Sequence, residues 1–434
     1  TPTQPTGACH FLEMTAFKGS QRRGGDEITR FLMSHGLGAS ASFNKEVMMY
    51  RVDFLRGDMG KALDLLFEAA FMPAFSPDLL ATSAQAMAFQ RSDLAAQPQV
   101  AVSDNLFAAA YGAGTPLGRA EKCPEAAIHT VTADTLRTHM ARHYVAPRMV
   151  LSLVGVEHGA AVEAVARSSV PLPSLPPDAA AALAPHWKRP VVPYVGGEVR
   201  VSPDWASMPA TAVAATAKTE FSHAMLAFPT VGWSDDDVVP VCVVDTLLGG
   251  GSSFSAGGPG KGLYSRVYRE VLNAHAWAEA ANAFSSQLYA SGLLGVYAAA
   301  PAAHIGELVQ LMAEQLARLA LVPVTPVELS RARNQLASSV MMNLETRGLL
   351  AEDIGRQILS HGKRMEITEL MRRIQAVTPD DLMRVVRQAI AHPPALSAVG
   401  DHASIPPYAD IQAYFAAVSA KAAGTASFSS FFRR

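Results

Sequence analysis

Residues 249–262 read Gly-Gly-Gly-Ser-Ser-Phe-Ser-Ala-Gly-Gly-Pro-Gly-Lys-Gly, so seven of the fourteen positions are glycine. A packed helix or strand would not tolerate this composition, because glycine loses more backbone freedom on folding than any other residue. An apolar helical run at 238–248 precedes the stretch, and an amphipathic run at 263–272 follows it. The sequence therefore predicts a long, mobile loop that is held at both ends by rigid elements.

A phosphate-binding loop is the first alternative for this stretch. The Walker A motif requires Gly-x-x-x-x-Gly-Lys followed by Ser or Thr. Here Gly262 follows Lys261, and Ser255 stands where the first glycine belongs, so the nucleotide reading fails at both positions. A linker of Gly/Ser filler is the second alternative, but Phe254, Pro259 and Lys261 interrupt it. The composition favours a loop that adapts to an extended peptide.

The composition of the whole chain limits the function classes. At 434 residues the chain can bury a large core and is expected to form two or more domains. A formal charge of −2 predicts neither nucleic acid nor an anionic membrane surface as a partner. Because only 17% of the residues are charged and 49% are hydrophobic, other subunits are hypothesised to cover part of the surface.

The cysteines and the apolar runs bear on the compartment. The three cysteines show no Cys-x-x-Cys spacing, which favours free thiols in a reducing compartment. No run of eighteen apolar residues occurs, so no membrane span is expected. Residues 1–6 carry no signal or transit peptide pattern and read as a disordered leader.

Periodicity and turn residues predict an α+β fold with two halves of similar layout. Seven prolines and a run of alanines at 170–193 predict a stiff linker between the halves. The domains are therefore predicted at 1–169 and 194–434, with the Pro-rich linker between them. Strands are predicted at 39–43, 47–55, 149–156, 198–201, 223–228, 276–284, 293–298 and 395–400. Helices are predicted at 8–17, 26–35, 58–71, 76–96, 100–111, 125–129, 133–143, from 158, and at 238–248, 305–319, 326–345, 349–360 and 379–391.

An acidic triplet, Asp235, Asp236 and Asp237, follows Ser234 at the start of the apolar run at 238–248. Ser234 is expected to cap that helix, and the carboxylates suit the positive end of its dipole. This structural interpretation is favoured over a role in binding substrate.

Several segments together resemble a known family. Residues 247–266, which include the glycine-rich stretch, resemble the glycine-rich loop of the α subunits of mitochondrial processing peptidases, which belong to the inverted-zinc, pitrilysin-like metallopeptidases. The agreement extends over nearly the whole chain, with further matches at 10–13 (HFLE), 144–150 (YVAPRMV), 155–158 (GVEH) and 232–236 (GWSDD). The resemblance implies two tandem homologous α/β halves that face a cavity.

The resemblance also implies that the glycine-rich stretch contacts presequence peptides. The substrate-binding residues would then be Gly249, Gly250, Gly251, Ser252, Ser253, Phe254, Ser255, Ala256, Gly257, Gly258, Pro259, Gly260, Lys261 and Gly262.

His10-Phe11-Leu12-Glu13-Met14 differs at one position from His-x-x-Glu-His, in which two histidines hold zinc and the glutamate activates water. The resemblance implies a third ligand, a glutamate, on a later helix. At the expected separation, with 76 residues between it and Glu13, stands Gln90. A thioether and a neutral amide are poor zinc ligands. The remnant site, defined as His10, Glu13, Met14 and Gln90, therefore predicts no catalytic residue, no metal and no cofactor in this chain, and the resemblance places zinc in the β partner.

A structural alternative accounts for the same motif. Met14 and Phe11 would pack in a helix interface, while His10 and Glu13 would hydrogen-bond each other. This interpretation is favoured over hydrolase activity of the chain alone.

Family members have strands before the His-x-x-Glu region, whereas the motif here starts at residue 10. Either the sequence is truncated, or a separate chain supplies those strands and pairs near 47–55.

Three functions remain open from the sequence. The first is a non-catalytic, presequence-recognising α subunit beside a zinc-bearing β-type (core 1-type) partner, which also serves as a matrix-side core subunit of respiratory complex III with its other subunits. The alternative is a purely structural core subunit of complex III. An autonomous peptidase is the least favoured, because the ligand set is incomplete. The first function places the chain in the mitochondrial matrix or on the matrix face of the inner membrane.

Overall fold

The computed structural model describes residues 7–95, 97–173, 191–202, 221–252 and 263–424. Helices and strands are mixed along the chain, as the α+β prediction requires. The helices are α1 Ala8–Thr15, α2 Gly25–His35, α3 Met59–Phe71, α4 Pro77–Ala95, α5 Pro98–Tyr111, α6 Glu125–Ile128, α7 Ala133–His143, α8 His158–Ala166, α9 Val238–Leu248, α10 Ile305–Leu321, α11 Pro326–Glu345, α12 Arg347–His361, α13 Ile367–Ala376, α14 Pro379–Ile390 and α15 Tyr408–Ala422. The strands are β1 Gly38–Phe43, β2 Met48–Asp53, β3 Gly197–Val201, β4 Phe221–Thr230, β5 Gly250–Ser252, β6 Ala280–Gln287, β7 Gly292–Pro301 and β8 Ala395–Val399.

The chain divides into two compact units, and each unit is built from three segments. The first unit takes Thr1–Ser92, Glu121–Arg189 and Asn343–Arg364, and the second takes Asp93–Ala120, Pro190–Met342 and Met365–Arg434. Residues 93–120 thus belong to the second unit, and residues 343–364 belong to the first. The sequence-level division at 169 and 194 stays a prediction, and most of the Pro-rich linker, residues 174–190, lies outside the described residues.

The first unit is mainly helical and packs several small cores. One core joins Phe11 and Leu12 of α1 to Met87 of α4 and Leu136 of α7. Near it, α3 carries the buried carboxylate of Glu68. The Arg23 guanidinium donates to both Glu68 oxygens at 2.9 Å. Because a buried charge needs a partner and hydrogen bonds, this bidentate pair fixes the turn before α2 against α3.

The predicted strand at 149–156 is wrong. Among the described residues the segment has no sheet partner, and the sheet that the first unit forms there is the antiparallel pair β1–β2. The apolar run Met-Val-Leu-Ser-Leu-Val reads as a buried strand, but a strand also requires a neighbouring backbone that completes its ladder. Within the described residues β1 and β2 are each paired along one edge only.

The second unit is organised by a six-stranded sheet in the order β3-β8-β4-β7-β6-β5. The β3–β8 pair is parallel and the other pairs are antiparallel. Side chains alternate between the two faces. Leu226, Val296 and Leu396 belong to the large core that includes α10 and α14, whereas Met225 and Val399 pack with Leu106 of α5.

Among the residues that the structure describes, no single helix is long and apolar enough to cross a membrane. One pair of described helices, α10 and α11, is long and apolar enough when taken together, but the chain bends by 107° between them. α10 is a core helix, since Leu308, Met312 and Leu316 are buried against the sheet and its neighbours.

Three local predictions are corrected by the structure. Ser234 does not cap α9, because its hydroxyl donates to the Tyr289 carbonyl at 3.3 Å. Two carboxylates of the acidic triplet pair with arginines, Asp236 with Arg373 at 2.6 Å and Asp237 with Arg384 at 2.5 Å, while Asp235 accepts a hydrogen bond from the Asp237 backbone N–H at 2.8 Å. The amphipathic run at 263–272 forms a π-helical turn, Tyr268–Leu272, in its second half.

None of the three cysteines forms a disulfide.

Candidate functional site

The remnant site lies on α1, whose inner face is built for burial. Phe11, Leu12 and Thr15 are almost fully buried, and His10 is buried with them. A helix places residues i and i+3 on one side, so His10 and Glu13 project from the same side of α1. Met14 is half-buried and packs against the neighbouring apolar core.

Both ring nitrogens of His10 are already engaged. The backbone N–H of Cys123 donates to Nδ1 at 3.2 Å, and Nε2 lies 2.8 Å from Oε1 of Gln90. Since Nδ1 accepts a hydrogen bond, a neutral ring must carry its proton on Nε2 and donate it to Gln90. Burial lowers the pKa of His10, and the charges of Lys122 and Arg91 add to this effect against the opposing influence of Gln90 and Glu13. His10 is thereby held as a neutral ring in one tautomer.

Glu13 is also engaged, although not by His10. The ammonium of Lys122 donates to Oε2 of Glu13 at 2.8 Å, with both side chains about four-fifths buried. The same ammonium lies 4.6 Å from the centroid of the Phe43 ring, a cation–π distance. The structural alternative from the sequence is therefore right about packing but wrong about pairing, because the two polar side chains of α1 bond to Gln90 and Lys122 rather than to each other.

The side chains of the remnant site do not fit a catalytic zinc ion. Such a site needs three nitrogen, sulfur or carboxylate ligands and one open position. Gln90 meets His10 as the sequence spacing predicts, but it offers a neutral amide, and Met14 offers a thioether. Across the described part of the chain, no group of three or more His, Cys, Asp or Glu side chains could hold a metal ion.

The glycine-rich stretch belongs to the second unit, and only its first four residues, 249–252, are described. Residues 253–262, which hold the remaining ten predicted substrate-binding positions, lie outside the described residues. Gly249 ends α9 with φ +54°, and Gly250 begins β5 with φ +117°. Positive φ values of this kind favour glycine strongly.

Hydrogen bonds fix the described start of the glycine-rich stretch, residues 249–252. Gly250 N donates to Oγ of Ser265 at 3.1 Å, which ties residues on either side of 253–262 together. Ala283 N donates to the Gly249 carbonyl at 2.7 Å, and β5 pairs with β6 from Gly250↔Asn282 to Ser252↔Ala280. Residues Gly250–Ser252 of the stretch therefore form the edge strand β5 of the six-stranded sheet, which corrects the prediction that the stretch is loop from its first residue.

The residues after the stretch are held by α11. Arg266 is almost fully buried and its guanidinium lies 3.3 Å from the Glu328 carboxylate. Arg331 donates to the Tyr264 carbonyl at 3.2 Å, and its guanidinium lies 5.7 Å from the Tyr264 ring centroid. Tyr264 itself is 72% exposed. The first turns of α11 thus position the chain where it leaves the glycine-rich stretch.

The sheet of the second unit holds a buried polar pair that was not predicted from the sequence. Nδ1 of His223, on β4, lies 2.7 Å from the Tyr297 hydroxyl on β7, and Nε2 of His223 has no partner within the described residues. Burial lowers the pKa of His223 to about 4 and raises that of Tyr297 to about 12. Two isolated positions in apolar strands give no sequence signal of such a pair.

The His223 pKa predicts how stability depends on pH. An unfolded histidine protonates near pH 6.5 and the folded one near 4, so the unfolded state binds more protons between these values. Stability from this group is complete above pH 6.5 and falls as the pH drops towards 4, by at most about 1.4 kcal/mol per pH unit. In denaturant unfolding between pH 4.5 and 7, His223→Gln should flatten this slope, while the exposed His129→Gln serves as control. Equal slopes for wild type and His223→Gln would contradict the assignment.

The α+β fold with its two compact units defines the class, a metallopeptidase-like protein. Two family models match the chain, "Insulinase (Peptidase family M16)" over residues 2–125 and "Peptidase M16 inactive domain" over residues 130–336.

Individual relatives are more specific. The chain is 32% identical over 414 residues, 95% of this chain and 77% of the relative, to "Mitochondrial-processing peptidase subunit alpha" of Bos taurus. It is 33% identical to the protein of the same name from Solanum tuberosum, over 94% of this chain and 77% of the relative. Among solved structures, a chain of "Complex III2 from Candida albicans, Inz-5 bound" matches with a TM-score of 0.74 at 15% identity, covering 95% of this chain and 90% of that one. The chain belongs to the M16 peptidase family, in the group of mitochondrial-processing peptidase α subunits.

Proposed function

We propose that the chain is a non-catalytic α-type subunit that recognises presequence peptides for a zinc-bearing β-type partner. The observation that carries the proposal is the identity of about one third with relatives named as α subunits of the mitochondrial processing peptidase, over nearly the full length of this chain. The proposal places the chain in the mitochondrial matrix, or peripherally at the matrix face of the inner membrane.

The remnant site supports a division of labour between the two subunits. His10 and Glu13 keep the positions of a metal ligand and a general base, but they bond to Gln90 and Lys122. In this proposal the partner supplies the ligand set for hydrolysis, and this chain contributes substrate binding. We propose no cofactor for this chain, and zinc for the β-type partner.

The glycine-rich stretch is our proposed presequence-binding element. Presequences differ widely in sequence, so their binding site must tolerate many side chains, and glycine permits backbone geometries that other residues do not. The start of the stretch and the residues that follow it are anchored to rigid elements: Gly249 and Gly250 to β6 and Ser265, and Tyr264 and Arg266 to α11. An adaptable segment with fixed ends suits a peptide-binding role.

Substituting glycines inside the stretch tests this role. Gly257, Gly258 and Gly260 changed together to alanine restrict the backbone, at up to about 1 kcal/mol each where φ is positive. We expect the melting temperature to stay within a few degrees, while cleavage by the reconstituted pair of subunits falls, chiefly through a higher KM. The measurement is presequence cleavage by the pair, with wild type and triple variant compared.

Two controls make the glycine experiment decisive. Fluorescence anisotropy with a labelled presequence peptide reports binding apart from cleavage, and thermal melting reports folding. If binding, kinetics and melting temperature all match the wild type, the stretch has no part in presequence binding. The alternative of a purely structural core subunit is then favoured.

Membership of respiratory complex III is the second part of the proposal. The structural likeness to a chain of that complex, with a TM-score of 0.74, shows a shared fold, and the assembly itself is our inference. The test is the composition of material purified from mitochondria through a tag on this chain. Co-purification with haem-containing subunits supports a core-subunit role, whereas a heterodimer without haem absorbance contradicts it.

A separate chain is also proposed to complete the first unit. Within the described residues β1 and β2 pair only with each other, and the apolar segment at 149–154 has no sheet partner. Unpaired strand edges readily accept another strand. We expect the amides of Met48–Asp53 to exchange hydrogen more slowly in the assembled complex than in the purified chain. Equal exchange in both states would contradict the added strand.

A further inference from the structure

The remnant site differs from a zinc site in more than its ligands, because its charges and its hydrogen bonds have also changed. Glu13 pairs with the Lys122 ammonium at 2.8 Å. The backbone N–H of Cys123 points at Nδ1 of His10 at 3.2 Å. Neither feature follows from the substitution of a ligand by Met14 or Gln90, and each acts against a metal ion on its own.

The hydrogen bond from Cys123 acts on His10, the one histidine of the motif that is present. A histidine that binds zinc through Nε2 normally donates its Nδ1 proton to a carbonyl or carboxylate, and this leaves the lone pair of Nε2 for the metal. Here a donor, not an acceptor, faces Nδ1. The neutral ring must therefore keep its proton on Nε2, which donates to Gln90 and offers no lone pair.

The Lys122 ammonium concerns the charge of the site. It lies against Glu13 and over the Phe43 ring, in a partly buried setting where charges are weakly screened. A second positive side chain, Arg91, donates to the Cys123 carbonyl at 3.1 Å. The side chain of Glu13 thus already has a cation, and a divalent ion would enter next to a fixed positive charge.

We propose that Lys122 is the internal cation of the remnant site, which excludes divalent metal ions even when the missing ligands are restored. The Cys123–His10–Gln90 hydrogen bonds act in the same direction by holding the unsuitable tautomer. The remnant site is thus a closed polar cluster that stabilises the contacts of α1 with α4 and with the segment at 122–123. This inference concerns metal exclusion alone and does not depend on whether the chain handles presequences.

The test restores the ligands with and without Lys122. One variant carries Met14→His and Gln90→Glu, and the other carries Lys122→Met in addition. Zinc binding is measured by isothermal titration calorimetry, and cobalt binding is measured by its visible absorption. We expect the triple variant to bind either metal roughly tenfold more tightly or better, because it removes a fixed charge beside the site.

A matched control separates a local effect from a change in net charge. Lys61→Met also removes one lysine paired with a carboxylate, Asp58, but at an exposed position on α3. Added to the ligand-restoring pair in place of Lys122→Met, it should leave metal affinity unchanged. Equal affinities for the double variant and the Lys122 triple variant would overturn the proposal, as would an equal gain from Lys61→Met.

A second measurement needs no ligand-restoring variant. In the wild-type chain labelled with 15N-histidine, the His10 ring, assigned with His10→Gln, should show the tautomer protonated at Nε2, unchanged after zinc is added. A ring protonated at Nδ1, or a zinc-induced shift of its Nε2 resonance, would overturn the proposal even if the triple variant failed to fold.

Discussion

Purified alone, the chain is expected to carry far less than one zinc per molecule and to leave presequence peptides uncut. The reason lies in the remnant site, where Glu13 is paired with Lys122 and, of His10, Met14 and Gln90, only His10 is a zinc-type ligand, with its Nε2 donating to Gln90. A catalytic zinc needs three ligands and a water. Enzymes accelerate hydrolysis by many orders of magnitude. The difference in presequence cleavage rate between this chain alone and the reconstituted pair should therefore be larger than the effect of any variant proposed above.

Elemental analysis and a peptide cleavage assay measure this contrast. The reconstituted pair is the positive control, and a chelator should abolish its activity. One tightly held zinc per chain, together with chelator-sensitive cleavage by this chain without a partner, would contradict the prediction and revive the autonomous peptidase.

Much of the fold could be predicted because local signals agreed with the tertiary packing. α14 begins at a capping box formed by Thr378 and Asp381, and the apolar strands β4 and β7 lie at the centre of the larger sheet. Two helices, α13 and α15, were missed. α13 does carry apolar residues at the helical spacing i, i+3, i+4 and i+7, namely Ile367, Leu370, Met371 and Ile374, so its sequence held a helical signal that the prediction did not use. In α15, alanines dilute the apolar spacing that predicts a helix.

The strand predicted at 149–156 failed for a different reason. Its apolar residues match the composition of a buried strand, but pairing depends on what lies beside it in the folded molecule. Composition along one segment does not contain that information.

The candidate site was predictable only where a motif carries it. The spacing from His10 to Gln90 is visible in the sequence, and the two side chains do meet. Lys122 was missed because it reaches Glu13 across a separation of 109 residues, and its sequence neighbours form no motif. Charge pairs that form through tertiary packing leave no trace in local spacing, so the feature that most changes the chemistry of the site appears only in the structure.

Gly250→Ala is expected to disrupt the start of the glycine-rich stretch far more than Gly251→Ala, although the two glycines are adjacent. A Cβ at Gly250 would lie 2.1 Å from the Ala281 carbonyl oxygen and 2.6 Å from the Asn282 Cα, with φ at +117°. Both obstacles are backbone atoms of β6, which cannot move aside without breaking the β5–β6 pairing. Strained backbone and overpacking each cost about 1–3 kcal/mol, so we expect a loss of roughly 2–4 kcal/mol in the free energy of unfolding.

Gly251 is the matched control, since a Cβ there would meet nothing within 4 Å and its φ is not positive. Gly251→Ala should therefore unfold within about 0.5 kcal/mol of the wild type. If the stretch binds presequences from its anchored ends, Gly250→Ala should also raise the KM of the reconstituted pair at temperatures where the variant remains folded, because Gly250 N no longer holds Ser265 Oγ in register. Equal stability of the two variants would contradict the close approach of β5 to β6. If Gly250→Ala is destabilised but its KM is unchanged, the anchoring of the stretch at Gly250 does not affect presequence binding, and the binding site lies elsewhere on the chain.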